Sequence, residues 1–391
     1  MRYLISLLFL CAAGMKEAYG DWIDPDTPKS AEKTLGIPIK YSNPDRPYSE
    51  PTISDFSVPE SERREYTLVM SDEFNVPHRN FTDGADPKWT ALNKNDYTND
   101  ALHFYSHDQA TTNTDGELVI TSEIGDTDVV GFDDEKFENT KITKHFKSAM
   151  LQSWNKFCFT GGVIEIEAEL PGWSEVGGLW PSFWILGNLA RHTFIGSASH
   201  VWPFSSNECS AKTEKAQLIN GCLDMVHYGM EPGVGRGAPE IDIFEVQPGD
   251  IGRNQGSFRE MTVGQPFMSA SYQVAPGKSN RPGNGYWPAP GVWYDKIRSG
   301  METNLNILFY GTYNFFRDDV DPAKQDYWSD AISYNKQLND SHFRGRHKYR
   351  LEWDVPDKKK GTLGYIRWFL DDTLVLEING ETLERAQTGK F

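Results

Sequence analysis

Basic charge is scarce in this chain. Its 39 Lys and Arg residues stand against 56 Asp and Glu, for a net charge of −17 and a pI near 5.0. No basic stripe offsets that balance, which disfavours partners held by phosphate contacts, so neither nucleic acid nor an anionic membrane surface is expected. Long apolar runs are also missing. Residues 3–13 form the longest, well short of the roughly 20 residues needed to span a bilayer. That run follows Arg2 and precedes the small-x-small pattern Ala18-Tyr19-Gly20, so residues 1–20 read as a secretory signal peptide, with an uncleaved short anchor as the alternative. Membrane association is expected only through such an uncleaved N-terminus. Cysteine is limited to four. No CxxC or Cys/His spacing is present, so no metal site and no cofactor are expected. Cys11 would leave with the signal. Cys209 and Cys222 flank a polar stretch and are expected to close a short disulfide loop, worth ~3 kcal/mol by loop entropy. Cys158, inside the apolar stretch "KFCFTGG", reads as a buried free thiol. The sequons at Asn80 and Asn339 agree with secretion.

Helical periodicity is sparse too; residues 322–338 are the best candidate for one short helix. What the chain has instead is aromatic residues, 12 Trp, 17 Tyr and 22 Phe, in short β-like runs. These rings suit either a large core or platforms for the flat faces of sugars. Residues 21–60 carry seven prolines and little periodic hydrophobicity, the composition of an extended arm packed along a domain. From about residue 61 the runs "EYTLVMSDEF", "GELVITSE", "VIEIEAEL", "EIDIFEV", "YRLEWDV" and "YIRWFLDDTLVLEI" alternate or concentrate β-branched and aromatic residues. In "VIEIEAEL", Ile164, Ile166, Ala168 and Leu170 share one face and three glutamates the other. Such strands separated by long loops imply an all-β protein, a single β-sandwich over residues 61–391 with its function on one face.

"GAPEIDIFEV", residues 237–246, concentrates three carboxylates. In a regular strand Glu240 and Asp242 share a face, while Glu245 points the other way. A β-bulge between Asp242 and Glu245 would return Glu245 to the first face, with Ile241 and one of Ile243 or Phe244 toward the core. Two glutamates would then lean over a shorter aspartate. That arrangement suits retaining glycoside hydrolysis, in which one carboxyl is nucleophile and the other acid, then base. Crowded carboxylates cannot all ionise cheaply, so one keeps its proton near neutral pH. A solvated acidic edge or a calcium-binding face would show the same spacing. Upstream, Trp180 and Trp184 are four apart and share a strand face unless Pro181 turns the chain; a cleft wall and a core pair are both compatible.

Pro171-Gly172, "GLWPSFWILG" and the downstream "EIDIFE" together resemble glycoside hydrolase family 16. That resemblance implies a concave β-jelly roll of two stacked antiparallel sheets. A narrower one, carried in order from residue 71 to 372 by "SDEFN", "DPKWTALN", "NDALHFYS", "DGELVITSE", "QSWNKFCFTGG", "GLWPSFWILGNLAR", "GRGAPEIDIFE", "YQVAPG" and "LGYIRWFLDD", is to the β-glucan synthesis-associated branch of the SKN/KRE type. It implies a secretory-pathway protein acting on β-1,3- or β-1,6-glucan by hydrolysis or transglycosylation, or one that binds glucan and assists a synthase without turnover. By the family pattern Glu240 is the nucleophile, Asp242 the assisting acid and Glu245 the acid/base. Trp180 and Trp184 line the cleft, with Trp173, Asn188, Arg191 and Gln273 as further candidate substrate contacts. The sequence departs from the pattern in three ways. The long cytosolic arm and internal anchor usual in fungal members are replaced by the short apolar start. Gln273 stands where laminarinases often place a His. The pattern also implies further sandwich strands after "WFLDDTLVLEING", so the domain is expected to lack its last strands.

Overall fold

The computed structural model describes residues 22–37, 64–96, 101–133, 138–187, 190, 222, 232–233, 239–247, 265–274, 297–306, 330–357, 359 and 361–383. The expected signal segment, the boundary at residues 60/61, Asn188, Arg191 and Cys209 lie outside them. The chain divides into two compact units. One is mainly Glu65–Phe159 with Met1–Thr34; the other is mainly Thr160–Ala190 and Gly196–Phe391 with Leu35–Arg64.

Strands β1 (Lys33–Leu35), β2 (Glu65–Thr67), β3 (Thr90–Ala91), β4 (Lys94–Asn95), β5 (His103–Tyr105), β6 (Ala110–Thr112), β7 (Leu118–Ile120), β8 (Glu123–Asp133), β9 (Glu138–Ser148) and β10 (Leu151–Gln152) come first. β4, β5, β9 and β8 form a four-stranded sheet, and the others form two-stranded ribbons. The described part of the Pro-rich arm is tied down: β1 pairs with β2, and Trp22 is buried. In the first unit the Arg79 guanidinium bridges Asp72 and Asp86, and Trp89 Nε1 donates to Asp72. Cys158 is a thiol outside any disulfide, as expected, but it is exposed, not buried. The residues around it form turns rather than a strand. Phe157 and Phe159 pack on each other, and Phe157 packs on Trp22, so the neighbouring rings take the inward positions.

The second unit is a sandwich of two five-stranded sheets. Its strands are β11 (Gly162–Ala168), β12 (Ser182–Leu186), β13 (Glu240–Gln247), β14 (Phe267–Val274), β15 (Arg298–Ser299), β16 (Thr303–Leu305), β17 (Asp330–Gln337), β18 (His347–Asp354), β19 (Tyr365–Leu370) and β20 (Thr373–Asn379). One sheet runs β11-β18-β19-β20-β15 and the other β12-β13-β14-β17-β16. Every pairing in them is antiparallel. Among the described residues helix is confined to single turns, so the fold is the all-β jelly-roll sandwich expected. Its core holds the inward residues of both sheets, among them Ile241, Met268, Tyr272, Ile332, Tyr349, Leu351, Trp368 and Leu376. The alternation of "VIEIEAEL" is realised: Ile164, Ile166 and Ala168 pack on that core, and Leu170 is part of it. Residues 330–337, the C-terminal half of the expected helix, form β17 instead. Period-two alternation prevails there, with Ile332 and Tyr334 in the core and Ser333 and Asn335 on the opposite face.

A charged node fastens the arm to the sandwich. Arg350, on β18, donates to Glu352 at 2.8 and 3.1 Å, to Glu165 of β11 at 2.9 Å and to the Leu35 carbonyl at 3.1 Å. Ile37 N–H donates to Glu352 at 2.7 Å. Arg350 is 2 % exposed and Glu352 0 %. Removing one partner of so buried a pair leaves an uncompensated charge. Arg350→Met should therefore lower unfolding free energy by about 3–5 kcal/mol, read from the urea midpoint. Adding Glu352→Gln, which removes the stranded charge, should recover part of the loss. A single variant as stable as the parent would contradict the assignment.

Candidate active site

Strand β13 carries Glu240, Asp242 and Glu245, and its neighbours record where the extra residue sits. Against β12, Asp242 pairs with Trp184 and Phe244 with Phe183, which leaves Ile243 without a partner. Against β14, Asp242 pairs with Ser271 and Glu245 with Ser269, so Ile243 and Phe244 together face Ala270. This is the two-against-one pattern of a β-bulge. Its cause is local. Ile243 and Phe244 are consecutive apolar residues and both are buried in the core, which a regular strand cannot arrange. Both go inward, rather than one of them, and every residue after them changes face. Glu240, Asp242 and Glu245 consequently fall opposite Gln273, Ser271 and Ser269, at equal two-residue steps along β14 and on one face of the sheet.

The rest of that face is polar. Ser269 Oγ donates to Asn335 Oδ1 at 2.7 Å, Ser271 and Ser333 hydroxyls share a 2.7 Å hydrogen bond, and Asn306 Nδ2 donates to Ser333. Gln273 Nε2 donates to Asp242 Oδ2 at 2.8 Å and, more weakly, to Glu240 Oε1 at 3.4 Å. One amide thus holds both carboxyls in place. Sequence reading finds Gln273 but passes over Ser269, Ser271, Ser333 and Asn335. The alternation of "FMSASYQV" was the available signal, since Met268, Ala270 and Tyr272 all enter the core.

Asp242 forms the floor of the site, at 0 % exposure, while Glu240 and Glu245 are half-buried. Burial first, then the Glu240 charge and a hydrogen bond shared with Glu240, hold the Asp242 carboxyl well above the usual carboxylate range, against the opposing pull of Gln273. Burial, with Asp242 as the secondary cause, raises Glu245 in the same direction. Among the described residues no donor reaches Asp242 Oδ1 or Glu245 Oε2. A buried carboxyl oxygen in that position is better neutral than charged. The face therefore offers a group able to give a proton (Glu245) and a carboxyl flanked by hydrogen-bonding neighbours (Glu240). Among the described residues no group of three or more His, Cys, Asp or Glu is placed to hold a metal ion.

Of the tryptophans, Trp184 shares the face of its ladder partner Asp242 and donates through Nε1 to Ser182 Oγ at 3.0 Å. Trp180, just before β12, is 46 % exposed and Trp173 is 63 % exposed. Neither is a core residue, and the Arg344 guanidinium lies over the Trp173 ring. Asn188 and Arg191 are outside the described residues. Cys222 is disulfide-bonded; its expected partner Cys209 lies outside the described residues, as does any view of the loop between them. Asn80 and Asn339 are both exposed.

Two antiparallel sheets, one of them bearing three clustered acids on a polar face, define an all-β jelly-roll sandwich as its class. Over residues 12–389 the chain matches the family of the β-glucan synthesis-associated protein SKN1/KRE6/Sbg1, and it belongs to that family. It is 32 % identical over 331 residues to the β-glucan synthesis-associated protein KRE6 of Saccharomyces cerevisiae, covering 81 % of this chain and 39 % of that protein. To SKN1 of the same yeast it is 31 % identical over 369 residues, 90 % of this chain and 38 % of that protein. The chain thus spans about two-fifths of the length of these relatives. Among solved structures it is similar to the catalytic domain of an endo-1,3-beta-glucanase (laminarinase) from Thermotoga petrophila, at 18 % identity and a TM-score of 0.40, covering 83 % of this chain and 81 % of that one. A likeness that loose leaves the fold to be read from the sheets themselves.

The raised carboxyls have a consequence for stability. The unfolded chain releases the Asp242 and Glu245 protons near pH 4, whereas the folded chain keeps them to higher pH. Stability is therefore present below about pH 4 and falls as pH rises toward the folded values. Asp242→Asn and Glu245→Gln, neutral at every pH, remove that slope. In thermal melts each variant should exceed the parent at pH 7–8, with the gap closing toward pH 4. A gap independent of pH would contradict the assignment.

Proposed function

We propose that the chain is a retaining β-glucan-active glycosidase or transglycosylase, acting on β-1,3- or β-1,6-glucan in the synthesis and remodelling of cell-wall polysaccharide. The observation that carries the reading is the bulge at Ile243, which sets Glu240, Asp242 and Glu245 on one face. Glu240 attacks the anomeric carbon while the raised Glu245 protonates the departing glycosidic oxygen. The same Glu245, now a carboxylate, then takes a proton from water or from a sugar hydroxyl that attacks the glycosyl-enzyme. Asp242, neutral beneath them, hydrogen-bonds Glu240 and keeps a second negative charge away from the nucleophile. Trp184 on the same face, with Trp180 and Trp173 exposed nearby in sequence, supports stacking on sugar rings.

A secretory-pathway location, with the product at the cell surface or wall, a Cys209–Cys222 disulfide and glycans on Asn80 and Asn339 belong to the same reading. The N-terminal pattern, the disulfide-bonded state of Cys222 and the exposure of both asparagines support it. The relatives are named for glucan synthesis rather than for hydrolysis. That favours a second reading in which the same face binds glucan and assists a synthase without turnover.

Product analysis with laminarin and a β-1,6-glucan separates these readings. Shorter products mean hydrolysis, products longer than the substrate mean transglycosylation, and tight binding without products means the synthase-assisting role. Under the enzymatic reading Glu240→Gln abolishes turnover and Glu245→Gln lowers it by about 10²–10⁴-fold, both with an intact fold. Azide should partly rescue Glu240→Ala and Glu245→Ala with products of opposite anomeric configuration, because it enters from opposite faces of the sugar. Variants that retain parental turnover would overturn the roles given to these residues.

A further inference from the structure

The bulge on β13 turns a backbone carbonyl as well as a side chain. The Asp242 carbonyl accepts a 2.7 Å hydrogen bond from Nε1 of Trp368. Trp368 belongs to β19, in the opposite sheet, is fully buried and lies in the core between the sheets. Carbonyls of a regular ladder lie in the plane of their sheet and point along it to the next strand, while stacked sheets stand ~10 Å apart. A carbonyl that meets an indole of the facing sheet has therefore left that plane, at the residue where the β13 ladder changes register. The facing strand is irregular at the same level. Trp368 pairs with Leu376 and Phe369 with Leu374, so Val375 is the extra residue on β20. Two irregularities confront each other across the core, and the indole N–H joins them.

We propose that Trp368 is a positioning residue for the site: its N–H satisfies the displaced Asp242 carbonyl and so holds the bulge, and with it the placement of Asp242 and Glu245, in the active register. A buried carbonyl without a donor would be drawn back toward the ladder of β12 or β14. Losing the bulge would send Glu245 to the core face, and sliding it by one residue would turn Ile243 or Phe244 onto the polar face. Phenylalanine would fill much of the same space without supplying the N–H that this carbonyl accepts. This inference goes beyond the proposed glucan chemistry, but its kinetic arm rests on that reading.

The test compares the parent with Trp368→Phe and with a chain in which the Trp368 indole is replaced by its benzothiophene analogue, which loses only the N–H and guards against misfolding of the first variant. Hydrogen–deuterium exchange over residues 239–247 is read first, because it needs no substrate. Faster exchange confined to this strand, with the β18–β19 amides unchanged, is the expected result in both variants. On laminarin, or whichever glucan the parent turns over, kcat should fall on the order of 10²-fold with KM little changed. The limb of the pH profile set by Glu245 should also move. Parental exchange on β13 in both variants, or lost stability with parental kcat and pH profile, would overturn the proposal. A parent without turnover on any glucan would count against the catalytic reading alone, and the exchange data would still decide the role of Trp368.

Discussion

Ile243 and Phe244 both need the core, and β13 can bury them in succession only by admitting one extra residue. The site depends on that constraint. With a regular strand, Glu245 would be driven into an apolar interior while Phe244 took its place among serines and asparagines. The bulge resolves both conflicts at once. The hydrophobic requirement of the core face thus decides the chemistry of the opposite face, and the apolar pair between the acids matters as much as the acids themselves.

Once the three carboxyls share a face, their environment separates their properties. Asp242 has no exposure and an amide donor on one oxygen, so burial and the adjoining Glu240 make it the group to hold a proton. Glu245 is raised mainly by burial. The surrounding serines and asparagines bring no charge and pair largely with one another, giving a polar face on which the carboxyls are the only ionisable groups of β13, β14 and the described side chains of β17 other than Tyr272, Tyr334 and Lys336. The two tyrosines lie in the core, and Lys336 is directed to Glu302 and the Met301 carbonyl. The electrostatic balance among the acids is therefore set by burial and by each other.

Much of this was legible in the sequence because it rested on periodicity. The alternation in residues 163–170 and the spacing of the acids around Ile243-Phe244 are local patterns, and they predicted the sandwich and the bulge. Residues 330–337 were misread as part of a helix because their polar members, Ser333 and Asn335, look like the solvent side of one; in the sheet they join a buried polar ladder whose other half is on β14. Cys158 was misread for a related reason: an apolar run suggests burial, but the phenylalanines on either side take the inward positions. Trp368 could not have been found by pattern at all. It lies 126 residues from Asp242 on a strand of the other sheet, and only the three-dimensional stacking brings its N–H to that carbonyl.

The central claim is that the bulge makes Glu240 a nucleophile on the face it shares with Glu245. Covalent capture tests it most directly. An epoxyalkyl β-gluco-oligosaccharide, incubated with the protein and followed by peptide mass spectrometry, should form one ester on Glu240, and Glu240→Gln should take up none. An ester on Glu245, or labelling scattered over surface carboxylates and indifferent to competing glucan, would contradict the account.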